Sequence, residues 1–240
     1  MSAHQPRSIL FTLRVATAFV LLLLPLWVRL RLTRDQARAF RLVRDHTRAA
    51  LRLGGARIEV REGHHLPHDR HVMIVSNHVS LADALILLAA LPLDVRFVAN
   101  HVFAQYPLLG VAIRAASANI VDRGSWRSRA QSGQAMVDGL ASGQSLLVFP
   151  EGTTADGAML PFRSGAFRAA ARTSSTIVPV AIQGTRDMLP SHTYLMANVP
   201  IAITVLPAIE PTGPTREDVA ALSDAARAAI ERALGQEVRG

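Results

Sequence analysis

Two short stretches hold side chains suited to moving a proton. In the first, Asn77-His78 is followed by Asp83 five residues after the histidine. On a regular helix that spacing would set the two side chains about 140° apart and keep them from touching. They meet if His78 lies in the turn before a helix and Asp83 in its first turn. Ser80-Leu81-Ala82-Asp83 has the form of a capping box, with Ser80 as N-cap and Asp83 at the third position, so this arrangement is the expected one. Asp83 then holds one imidazole nitrogen and leaves the other to accept a proton. These residues alone fit a helix-start carboxylate beside a loop histidine equally well. In the second stretch an apolar run, 145–149, enters Pro150-Glu151-Gly152-Thr153-Thr154, a turn expected to expose a carboxylate and backbone amides.

Other chemistries lack their residues. The chain has no cysteine, which removes thiol nucleophiles, thiolate metal sites and disulfides. No P-loop, Gly-x-Gly-x-x-Gly or Gly-x-Ser-x-Gly pattern is present. His64, His65, His68 and His71 cluster in a Pro-containing loop without carboxylates at helical spacing, so no metal site is expected.

The elements that would position the two stretches follow from periodicity. Residues 57–61, 71–75, 119–121, 145–149, 177–182 and 201–206 read as strands, and 81–90, 128–140, 167–172 and 215–234 as helices. Alternation of this kind implies an α/β fold: a central, mostly parallel sheet covered by helices. In such sheets ligands bind at the carboxyl ends of strands, where His78 and Glu151 would both emerge.

The amino-terminal part has a different character. Residues 9–28 are almost continuously apolar, interrupted by Thr12, Arg14 and Thr17. The uncharged part, 15–28, is about 21 Å long as a helix, short of a roughly 30 Å hydrocarbon core. Val28-Arg29-Leu30-Arg31 replaces the small residues of a signal-peptide cleavage site, so a retained segment that spans or dips into a membrane is expected. Arginines at 34, 38, 41, 44, 48 and 52 then recur at helical spacing, opposite a stripe containing Phe40, Val43 and Leu51. The chain carries a net charge of +8, and all of it lies in residues 1–70, with 13 Arg against five acidic residues. A basic amphipathic helix beside an apolar one suits an anionic membrane surface, and the positive-inside tendency places it on the cytoplasmic face of the cell membrane. Basic charge beside a lipid-like run, without interleaved aromatics, does not suggest nucleic acid. The expected division is a membrane-associating helical segment over 1–56 and a catalytic domain over 57–240.

Taken together, four blocks resemble the ordered motifs of the glycerolipid acyltransferase family, which includes the 1-acyl-glycerol-3-phosphate acyltransferases. They are Asn77-His78-x4-Asp83, Ile120-Val121-Asp122-Arg123, Phe149-Pro150-Glu151-Gly152-Thr153 and Ile177-Val178-Pro179-Val180. Phe162-Arg163-Ser164-Gly165-Ala166-Phe167 resembles the basic stretch that follows the third block. The resemblance implies transfer of an acyl group from acyl-CoA or acyl carrier protein to a lysolipid hydroxyl, with no resident cofactor and no metal. It implies catalytic roles for His78, Asp83, Glu151 and Gly152, and acceptor contacts for Asn77, Arg123, Thr153, Thr154 and Arg163. Two places depart from the pattern: Thr154 stands where phosphatidic-acid-forming members have a basic residue, and Phe97-Val98-Ala99-Asn100 lacks the Lys that they commonly have in that block. The lead acceptor is 1-acyl-sn-glycerol-3-phosphate. A lysolipid with another headgroup, a soluble thioester hydrolase and a non-catalytic lipid-binding protein of the same fold remain alternatives.

Overall fold

A computed structural model describes residues 7–100, 117–121, 126–155, 157–190 and 193–237. Among these, seven strands form one sheet: β1 (Arg57–Arg61), β2 (Val72–Ser76), β3 (Val95–Asn100), β4 (Ser117–Val121), β5 (Ser145–Val148), β6 (Thr176–Gln183) and β7 (Pro200–Val205). Their order is β1-β7-β6-β2-β5-β3-β4. Every neighbouring pair is parallel except β6–β7, so the mostly parallel sheet expected is present, with β1 and β7 reversed together at one edge.

The helices are α1 (Ile9–Leu32), α2 (Gln36–Gly54), α3 (Asp83–Ala90), α4 (Trp126–Ala141), α5 (Gly165–Thr173), the single turn α6 (Thr185–Met188) and α7 (Arg216–Glu237). They cover both faces. Val72 and Ile74 of β2 join a core with α1, α2 and α3, while Met73 and Val75 join another with α4, α5 and α7. Alternate residues of a strand point to opposite faces, so a central strand covered on both sides must be apolar throughout. β2 meets that demand, with all five residues buried.

Strand β3 was not anticipated. Arg96 breaks its apolar run, yet this arginine is buried, with its guanidinium 4.9 Å above the Phe40 ring and Nη2 donating to the Gln36 carbonyl at 3.2 Å. Desolvation lowers its pKa from the ordinary arginine value. A strand paired on both sides took the residue in because α2 supplies it with a ring and a carbonyl.

Helices α1 and α2 form a hairpin. Asp35 caps α2 by accepting the amides of Ala37 and Arg38, and Gly55 ends it at φ +85°. Phe11, Val15, Leu26 and Leu30 of α1 face inward and share the core that reaches the sheet. The opposite face is apolar and uncovered: Leu10, Leu13, Val20, Leu21, Leu24 and Val28 are 44–70% exposed. The arginine stripe of α2 is divided. Arg41 and Arg44 pair with Asp94 at 3.5 and 3.1 Å, and Arg48 Nε donates to the Ala89 carbonyl at 2.6 Å, at the carboxyl end of α3. Arg34, Arg38 and Arg52 stay exposed. Half of the stripe expected to face lipid therefore docks α2 onto the protein instead.

At the other end of the chain, α7 starts from a capping box. Thr215 Oγ1 accepts the Asp218 amide at 3.1 Å, and Asp218 Oδ2 accepts the Thr215 amide at 3.2 Å. Hydrogen bonds from the Thr215 and Thr212 hydroxyls hold the Asp218 carboxyl below its usual pKa. A carboxyl lowered in the folded state contributes stability above its unfolded pKa, about 4, and loses it as pH falls through the lower folded value. Asp218→Ala is therefore expected to destabilise the protein near neutral pH, with the difference from the parent narrowing as pH falls below the unfolded carboxyl pKa of about 4. Urea unfolding across that range checks it; a gap that does not change with pH would contradict it.

Candidate active site

The site forms where β2 and β5, adjacent and parallel, release their chains. Asn77-His78 leaves β2, and Phe149 to Thr154 leaves β5. Only half of the expected capping box forms: Asp83 Oδ2 accepts the Ser80 amide at 2.9 Å, but Ser80 Oγ accepts the Ala82 amide at 3.1 Å rather than that of Asp83, and Ala82 stands at the N-cap. The regular helix begins two residues later than expected, at Asp83. Ser80 Oγ also donates to the Leu189 carbonyl at 2.8 Å, which ties this turn to the segment after α6.

His78 and Asp83 meet as that geometry requires. Nδ1 lies 2.9 Å from Asp83 Oδ2. A carboxylate only accepts, so Nδ1 carries the proton and Nε2 keeps its lone pair. Asp83 Oδ2 also accepts the Val79 amide at 2.7 Å, so three donors converge on one oxygen of a carboxylate with no exposed surface. Its Oδ1 is buried without a partner among the described residues. The imidazole lies flat on Phe149, with ring centroids 4.2 Å apart, and its side chain is 16% exposed. The ring is thus fixed in tautomer and in plane, with an edge open to solvent.

Glu151 corrects one expectation. It is buried rather than displayed, 3% exposed, and both oxygens are engaged: Oε1 accepts the His78 amide and Oε2 the Leu160 amide, each at 2.7 Å. Its carboxylate joins the two loops instead of facing a substrate. Asn77 is corrected similarly. Its Nδ2 donates to the Ile182 carbonyl at 3.0 Å and its Oδ1 accepts the Ile182 amide at 2.9 Å, so a side chain assigned to the acceptor instead pairs with the backbone of β6. Ile182 lies 105 residues after Asn77, and His78 lies 73 residues before Glu151, which is why local spacing did not reveal these contacts.

Gly152 also differs from expectation. Its amide donates to the Phe149 carbonyl at 3.1 Å and closes the turn. What the position requires is glycine itself. Its φ is +78°, and a Cβ there would sit 2.7 Å from Arg163 Nε. Arg163 thus lies over the turn, exposed, beside exposed Thr153 and half-buried Thr154. Arg123 lies outside the described residues. Phe149 was quoted as part of a motif, but its stacking on His78 was not foreseen; an aromatic residue ending the strand beside β2 was the available signal.

Away from this site, Glu62 takes a left-handed backbone at φ +54° and brings one ligand-type atom within 4.8 Å of those of His64 and His65. The histidine loop therefore does have a carboxylate close by, which its sequence spacing concealed. It adjoins edge strand β1, with β7 and β6 between it and β2.

Comparison with known proteins follows this geometry. A family model described as Acyltransferase matches residues 57–183, which include all four motif blocks. Human 1-acyl-sn-glycerol-3-phosphate acyltransferase alpha is 32% identical over 183 residues, covering 73% of this chain and 62% of the human protein. The 1-acyl-sn-glycerol-3-phosphate acyltransferase of Borreliella burgdorferi is 25% identical over 173 residues, covering 72% and 69%. The crystal structure of the 1-acyl-sn-glycerophosphate acyltransferase from Thermotoga maritima shares the fold, with a TM-score of 0.79 over 97% of this chain and 96% of that one, at 22% identity. The chain spans about three fifths of the length of the human relative.

The dual engagement of Glu151 has a direct consequence. Glu151→Gln turns an amide NH2 toward a backbone N–H and leaves one donor unsatisfied, so it is expected to destabilise the fold by about 1–3 kcal/mol. Chemical denaturation of the variant checks this; parent-like stability would mean that the two amides find other partners. With more than half of its length matched by the family model, the chain belongs to the acyltransferase family.

Proposed function

We propose that the protein transfers a fatty acyl group from an acyl thioester to the free hydroxyl of a lysophospholipid. The observation that carries this is the His78–Asp83 pair at 2.9 Å, which leaves Nε2 of a partly exposed imidazole as a base. The acceptor oxygen attacks the thioester carbon as Nε2 takes its proton. The tetrahedral oxyanion is met by the Thr153 amide and by the positive charge of Arg163. Collapse breaks the C–S bond, and the imidazolium returns the proton to the departing thiolate. A thiol leaves readily, so the step asks for neither a covalent enzyme intermediate nor a metal, and the donor, acyl-CoA or acyl carrier protein, is a co-substrate.

The relatives named for 1-acyl-sn-glycerol-3-phosphate support lysophosphatidic acid as acceptor and phosphatidic acid as product. Arg163 over the Gly152 turn offers a bidentate contact to the phosphate, and Arg123 is assigned there with it. Thr154 in place of a basic side chain, and the lack of a Lys in Phe97-Val98-Ala99-Asn100, favour a second reading in which the acceptor carries a different headgroup.

Membrane attachment is assigned to α1. Six apolar side chains on its uncovered face, if transferred to hydrocarbon, are worth on the order of 5–10 kcal/mol. The other face packs on the protein, so the helix is suited to lying along the bilayer surface rather than crossing it alone. Exposed Arg34, Arg38 and Arg52 would meet anionic headgroups, and the arginine excess supports a position on the cytoplasmic side of the cell membrane.

The decisive experiment is thiol release from acyl-CoA across a panel of lysolipid headgroups. His78→Ala is expected to lower turnover by about 10²–10⁴-fold while folding and vesicle binding persist. Turnover retained in that variant would sink the assignment, and thiol release without any acceptor would identify a thioester hydrolase.

A further inference from the structure

Among the described residues after the Glu151 turn, Ala155 and 157–160 lie outside regular secondary structure, so their carbonyls need partners from elsewhere. Two arginines provide them. Arg186, on α6, donates from Nη2 to the carbonyls of Ala155 and Gly157 at 2.8 and 2.9 Å. Arg227, on α7, donates from Nη2 to the Met159 carbonyl at 3.1 Å and pairs with Glu231 at 2.8 Å. Both arginines lie beyond residue 183, where the family match ends.

The segment they hold reaches His78 from two directions. The Ala155 amide donates to the His78 carbonyl at 2.8 Å. The Leu160 amide donates to Glu151 Oε2, while Glu151 Oε1 accepts the His78 amide. Thus both backbone polar groups of the histidine depend on residues 155–160. One contact is direct, the other passes through a single carboxylate, and each begins one residue or less from a carbonyl bound by an arginine.

We infer that Arg186 and Arg227 are positioning residues of the reaction: by fixing the carbonyls of residues 155, 157 and 159 they set the backbone, and hence the imidazole, of His78. The inference rests on His78 as the base. Neither arginine needs to touch a substrate. Guanidinium suits the task because one planar group donates to two carbonyls of an irregular loop while its stem packs against apolar surface.

The test uses the full chain with Arg186→Met, Arg227→Met and Arg186→Lys, assayed with acyl-CoA and the best acceptor of the headgroup panel. Each Met variant is expected to lower kcat about tenfold while both KM values stay within about twofold of the parent. Arg186→Lys is expected to recover most of the loss, because an ammonium can donate to both carbonyls. Amide hydrogen exchange gives a readout that does not depend on activity: Ala155, Leu160 and His78 should exchange faster in the Met variants. An unchanged His78 amide, or a kcat loss that only tracks the fraction folded, would overturn the inference. If a Met variant does not fold, the Lys variant decides, through its kcat and its exchange at His78. His78→Ala is run alongside; if it turns over like the parent, the acyl-transfer reading fails, and the exchange data still judge the arginines.

Discussion

Two carboxylates almost without exposed surface, Asp83 and Glu151, impose the constraint around which this structure is arranged. Removing a carboxylate from water costs several kcal/mol unless other donors replace the solvent. Here the donors are chiefly backbone amides: Val79 and Ser80 for Asp83, His78 and Leu160 for Glu151. Satisfying them fixes the exits of two neighbouring strands relative to each other. His78 is the residue common to both sets, through its ring to Asp83 and through its amide to Glu151. Its placement is therefore a by-product of solving a burial problem, which is a sturdy way to hold a base.

What the sequence made legible was local. The Ser80–Asp83 relation spans one helical turn, and the unbroken apolar runs of β2 and β6 mark the covered centre of the sheet. Features that depend on distant partners were misread. Asn77 looks like an acceptor contact and Glu151 like a displayed catalytic carboxylate when the strands or loops completing them are out of view. Arg96 disguised β3 because a charged residue within a short run normally argues against a covered strand, and only the Phe40 ring and the Gln36 carbonyl make it tolerable. The arginines of α2 were read as one stripe, yet Asp94 and the end of α3 claim three of them.

That division of labour among arginines extends over the whole molecule. Since every basic side chain is arginine, charge alone cannot separate structural from functional cations; their partners do. Carbonyls take Arg48, Arg96, Arg186 and Arg227. Arg163 differs because it lies exposed over a glycine beside the proposed oxyanion site. Thr154 stands where the resemblance implies a basic side chain, so under the proposed function acceptor selectivity would rest on the few cations that remain.

The reversed edge of the sheet bears on how the chain is made. β1 pairs only with β7 among the described strands, and Arg57 donates to the Asn198 carbonyl 141 residues later. The start of α1 is likewise stitched to residue 196, through the Ser8 amide and the Thr12 hydroxyl. At ribosomal rates the first strand and the apolar hairpin wait roughly ten seconds for these partners to be synthesised. During that interval the edge of β1 and the start of α1 lack the partners that later hold them. A bilayer would shelter the hairpin from aggregation while the rest of the polypeptide emerges, so membrane contact would serve biogenesis before it serves catalysis.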